Sequence, residues 1–156
     1  MVKNMKKKSN IAILLTLIAI ALMISSCRKE KKETEESNEP GTLVKTIDLG
    51  DRQMDYLNFG NREGKKLVIL PGVSLKSVMG SAEAIVSAYQ TLAEDYDVYL
   101  FDHLKKEPEG YQIKDMADDT VTALKKLGLD HISLMGVSMG GMVSQKIAID
   151  HPEMVD

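Results

Sequence analysis

The stretch HISLMGVSMGGMVSQKIAIDHP, residues 131–152, decides the fold. Ile132 to Met135 is a short apolar run of the kind that fills a buried strand. Met142 to Asp150 reads as a helix that stops before Pro152. Between them lies Gly136-Val137-Ser138-Met139-Gly140, a G-x-S-x-G pattern in the strand–turn–helix setting that a nucleophile elbow requires. A sharp turn there lifts Ser138 out of the sheet to where a base can reach its hydroxyl, and it forces strained backbone angles on the serine. Gly136 and Gly140 let strand and helix approach without a side-chain clash. The peptide N–H of Met139 opens the helix, where developing negative charge is stabilised. A plain glycine-rich turn with Ser138 as helix cap is the alternative. The strand before, the helix after and the extra Gly141 favour the elbow.

Working outward, the totals bound the rest. The chain has 156 residues, which suits one domain. Its net charge of −3 hides two populations. Residues 1–26 carry four lysines and no acid, whereas from Cys27 onward 16 Lys and Arg face 23 Asp and Glu. An acidic body without Trp argues against nucleic acid as a partner. With one cysteine, no disulfide forms within the chain.

Residues 1–26 read as a targeting segment: a basic start, the apolar run Ile11 to Ile24, then Ser25-Ser26. The apolar run is shorter than the ~20 residues of a membrane-spanning helix. Ile24-Ser25-Ser26-Cys27 resembles the bacterial lipoprotein lipobox, which implies lipidation of Cys27 and a membrane-anchored, extracytoplasmic protein. An uncleaved signal anchor is the alternative. Residues 27–41 are charged and nearly free of apolar residues, so a disordered tether is expected.

The expected domain covers residues 42–156. Leu43 to Leu49 and Gln53 to Phe59 read as a hairpin turned at Gly50-Asp51. Leu67 to Leu70 and Val98 to Phe101 read as buried strands, and 81–93 and Ile113 to Leu127 as helices, with Gly128 as a cap. Strands alternating with helices predict an α/β fold, a mainly parallel sheet with an N-terminal antiparallel hairpin.

These residues, above all LMGVSMGGMVSQKIAIDHPEMV, resemble the α/β-hydrolase family. The resemblance implies a serine hydrolase in which Ser138 attacks the carbonyl of a small-molecule ester, thioester or peptide, with no metal and no cofactor. Its oxyanion hole would be the N–H groups of Met139 and of Val73, the latter on the loop that starts at Pro71-Gly72. Asp102 follows a strand as in the family, but the glycine-rich loop usually found after it is replaced by His103-Leu104-Lys105-Lys106. The family order is Ser, acid, His, and only 18 residues follow Ser138. His151 is expected about 18 Å from Ser138 along the helix, which rejects it as the base. His103 is a weak substitute, and His131 lies at the wrong end of its strand. The reading is therefore a partial fold with the C-terminal strands missing, inactive by itself, with an open edge at Ile132 and Leu134. The alternative is a non-catalytic lipid-anchored binding module or an inactive gene fragment. A nucleotide site is disfavoured, because neither a G-x-G-x-x-G nor a P-loop pattern is present.

Overall fold

A computed structural model describes residues 43–156. The expected targeting segment, Cys27 and the charged tether lie outside the described residues. Five strands, β1 (Val44–Asp48), β2 (Gln53–Gly60), β3 (Lys65–Leu70), β4 (Tyr96–Leu104) and β5 (Ser133–Gly136), form one sheet in the order β1-β2-β4-β3-β5. β2 runs antiparallel to β1 and β4, while β3 runs parallel to β4 and β5. Four strands thus share a direction and β2 alone is reversed. The hairpin turns at Gly50, whose φ of 113° is open to glycine, and its N–H donates to the Asp48 carboxylate at 2.6 Å.

Helices follow as the sequence alternation requires: α1 (Ala82–Ala88), α2 (Gln90–Ala93), α3 (Ile113–Lys126) and α4 (Met139–Asp150). The single helix expected over 81–93 is interrupted at Tyr89, which leaves helical angles at φ −101°, ψ 14°. Ile85, Tyr89 and Leu92, on either side of the break, all pack on the same core. At its start α3 is held by the Asp115 carboxylate, which accepts from the Gln112 N–H at 2.9 Å. It ends in Gly128 at φ 67°, and the Leu129 N–H closes back on the Leu124 carbonyl at 2.9 Å.

The sheet buries both faces because apolar residues run on without a polar alternate. Val68 and Leu70 join Tyr56, Phe101, α3 (Val121, Leu124) and α4 (Val143, Ile147) in one core. Leu67 and Ile69 join Leu57, Val98, Leu100 and Met79 in the other. This is the burial pattern of a strand covered on two sides.

Two details depart from expectation. β4 does not stop at Phe101 but runs on to Leu104. Its pairing with β2 slips there: Tyr56 faces Phe101 and Met54 faces Leu104. Two steps on β2 match three on β4, so β4 carries one extra residue at Asp102–His103, a β-bulge. Nor does the β5 edge lie open at Ile132, which is fully buried. The Ile132 N–H donates to the Met154 carbonyl at 2.9 Å, and the Asp156 N–H donates to the Ile132 carbonyl at 3.0 Å. The turn after Pro152 brings Met154–Asp156 back beside the sheet, which satisfies those backbone groups. Leu134 is half-buried and packs on the first core.

Candidate active site

The turn between β5 and α4 is the strained bend its sequence predicts. Ser138 sits at φ 51°, ψ −118°, a region that non-glycine residues rarely occupy. Its side chain makes no capping hydrogen bond to the helix, which sets aside the plain-cap alternative. Ser138 is exposed. α4 begins at Met139, three residues before the apolar run suggested.

Close packing around the bend explains its small residues. The Val137 N–H donates to the Leu70 carbonyl at 3.0 Å and ties the bend to the end of β3. Gly140 is buried against the last turn of that strand: a methyl group there would come within 2.5 Å of the Pro71 carbonyl oxygen and overlap that of Leu70. A methyl group on Gly136 would overlap the backbone at Gly140 and Gly141. Both elbow glycines are therefore required for packing. Met139 is the first helical residue, so its N–H has no acceptor four residues back within α4.

The loop from Pro71 to Ser77 borders Ser138. A Cβ on Gly72 would stand 3.3 Å from the Ser138 Cβ and 3.9 Å from its Oγ. Val73, the other expected oxyanion donor, follows directly and its side chain is largely exposed. The far end of the loop is anchored by Ser77, whose Oγ donates to the buried Asp102 carboxylate at 2.5 Å. The other oxygen of Asp102 accepts from the His103 N–H at 2.8 Å. A groove of about 320 Å³ runs beside this loop, lined by Asp55, Ser74, Lys76, Ser77, His103 and Lys105 among others.

The three histidines separate as their positions imply. His151 is at the far end of α4 from Ser138, with Nδ1 3.5 Å from Glu153. His131 lies before β5 and is 3.5 Å from Asp156. His103 is on the loop side, but its Nε2 meets the Gly72 carbonyl oxygen at 3.1 Å and is engaged there. Sequence reasoning did not find the Ser77–Asp102 anchor, for the two residues are 25 apart and only the folded sheet brings them together. Among the described residues, no group of three or more His, Cys, Asp or Glu is placed to hold a metal. Among them no helix is long and apolar enough to cross a membrane.

Residues 67–156 match the alpha/beta hydrolase fold family, and the chain belongs to it. RutD of Serratia proteamaculans (strain 568), provisionally named a carbamate hydrolase, is 29% identical over 100 residues, which are 60% of this chain and 38% of that protein. A hydrolase from Pseudomonas aeruginosa PA01 has the same fold, with a TM-score of 0.64 and 19% identity over 76% of this chain and 44% of its own. Est816, described as an N-acyl homoserine lactone degrading enzyme, aligns with a TM-score of 0.58 and 28% identity, over 70% of this chain and 42% of its own. The chain thus spans about two-fifths of the length of these relatives.

Proposed function

We propose that this chain is the nucleophile-bearing part of a membrane-tethered serine hydrolase, with Ser138 as nucleophile. The single observation that carries the reading is the Ser138 backbone at φ 51°, ψ −118°, exposed between β5 and α4 and with no helix-capping bond of its own. Strain of this kind is kept where the surrounding structure over-determines it, as at a nucleophile held for attack.

In the proposed reaction, an imidazole takes the Oγ proton as Ser138 bonds to the substrate carbonyl carbon. The N–H groups of Met139 and Val73 hold the oxyanion. Collapse expels the alcohol, thiol or amine, which leaves with the proton, and water then hydrolyses the acyl-serine. The imidazole and its carboxylate partner would come from sequence outside residues 1–156, since His103 is engaged with Gly72 and His151 is remote. Esters, thioesters and peptides are all in range. The carbamate and lactone in the relatives' names also present a carbonyl carbon. Lipidation of Cys27 would tether the enzyme, on the strength of the lipobox resemblance alone.

The test is a fluorophosphonate probe on the full-length gene product. Labelling abolished by Ser138→Ala is expected, and labelling that persists in that variant rejects the reading. Cys27→Ala is expected to abolish incorporation of labelled palmitate and to release the protein from membranes. The competing reading, an inert binding module, rests on the missing acid–histidine partners of Ser138, His151 and His131 both lying at the far ends of their elements. Turnover of an activated ester that Ser138→Ala abolishes would overturn it.

A further inference from the structure

We infer that His103 is a positioning residue for the oxyanion hole: its Nε2–H holds the Gly72 carbonyl and thereby aims the Val73 N–H. A carbonyl oxygen only accepts, so the ring nitrogen 3.1 Å from it must be the one that carries the proton. Gly72 C=O and Val73 N–H are the two ends of one peptide unit. In a trans peptide they point in opposite directions within one plane, and no cis bond is present among the described residues. A side chain that fixes the carbonyl on one side therefore fixes the N–H on the other.

The rest of the loop needs such a hold. Val73 to Ser77 are all exposed, so packing does not set their peptide planes. Gly72 itself is closely confined, because Ser138 and the Val137 carbonyl each lie 3.3 Å from where its Cβ would be. Ser77 is pinned separately by Asp102, and Asp102 also takes the His103 N–H. One carboxylate thus anchors the loop's far end and the backbone of the residue that grips its near end. The bulge on β4 is what makes this reachable. An extra residue breaks the strand's alternation at Asp102–His103 and re-aims both side chains.

The catalytic meaning of this device rests on the proposed role of Ser138, and the test separates the two. In full-length protein, phosphonylation by a fluorophosphonate is expected to slow about ten- to a hundredfold in His103→Ala, less than complete loss of an oxyanion donor. His103→Gln, whose amide also donates, is expected to restore most of the rate. An unchanged rate in His103→Ala would overturn the inference. Nitrogen-15 NMR of the wild-type protein gives a readout free of activity and of any folding defect. The proton is expected on Nε2 of His103, and the Val73 amide signal is expected to move in His103→Ala while signals from β1 stay put. A proton on Nδ1 alone, or an unmoved Val73 amide, overturns the inference even if Ser138 is labelled. A wild-type protein that is never labelled rejects the nucleophile and leaves the NMR outcome to decide the clamp.

Discussion

Gly140 packs its Cα directly against the carbonyl oxygen of Leu70, with no room for a side-chain atom between them. The first turn of α4 is therefore seated on the end of β3, and Ser138 takes its position from that contact. Gly140→Ala is expected to destabilise the fold by about 1–3 kcal/mol, because backbone must move to admit the methyl group. At Gly141, one residue on, a Cβ would lie 3.5 Å from its nearest neighbour, an ordinary contact. Gly141→Ala is expected to stabilise by roughly 0.5–1 kcal/mol through helix propensity. Urea melts of the two variants check the contrast, and equal effects would contradict this packing.

The strain at Ser138 makes a second prediction. Ser138→Gly and Ser138→Ala both remove the hydroxyl, but only glycine is at ease with φ 51°. The glycine variant is expected to be the more stable of the two by about 1 kcal/mol, the strain relief being partly offset by glycine's flexibility. Thermal unfolding of the pair decides it, and the reverse order would show the bend to be relaxed.

Gly72→Ala separates activity from stability. The added methyl group would press on Ser138 at 3.3 Å. The Ser138 side chain and the Val137 carbonyl must each give by a few tenths of an ångström, so stability is expected to fall by only about 1 kcal/mol. Reactivity toward a fluorophosphonate is expected to fall by about tenfold, because a displacement of a few tenths of an ångström is smaller than the one-ångström shift that costs about a hundredfold. Full reactivity in this variant would show that the loop does not bear on the serine.

Acid stability is expected to depend on Asp97, which is 2% exposed. Burial alone would raise its carboxyl. Hydrogen bonds from Lys66 and Asn58, with the Lys66 and Arg62 charges, outweigh burial and hold it below the ordinary carboxylate range. A depressed carboxyl adds stability above its unfolded value of about 3.9 and loses it as pH falls through the folded value. Lys66 runs the other way: its bond to Asp97 raises it, so its share is present below about 10.4 and fades as pH climbs beyond. Asp97→Asn is expected to cost about 1–3 kcal/mol at neutral pH and to flatten the acid limb below about pH 4. Denaturant melts from pH 2 to 7 provide the check; an acid limb unchanged in the variant would assign it to other carboxylates.

The elbow was legible because its constraints are local: five residues set the bend, and neighbouring apolar runs set what flanks it. Both faces of β3 were legible for the same reason, since Leu67 to Leu70 has no polar alternate. What the sequence did not disclose depends on partners distant along the chain. The extension of β4 to Leu104 comes from pairing with Met54, fifty residues away. The seal over Ile132 comes from Met154–Asp156, which carry no strand pattern of their own. The early start of α4 was hidden by Gly140 and Gly141, poor helix formers that packing against β3 overrides. The hold of His103 on Gly72 was hidden because nothing near His103 in the chain shows that Gly72 lies opposite.

The slip in register on β4 has a consequence for how this site can change. In an uninterrupted strand, Tyr99, Phe101 and position 103 would face one core and Leu104 the other side. With the added residue, Leu104 turns to join Phe101 in the first core, and positions 102 and 103 are released from that duty. Asp102 and His103 can thus turn to polar partners in the loop beside Ser138, Ser77 and Gly72, while the hydrophobic interior is left undisturbed.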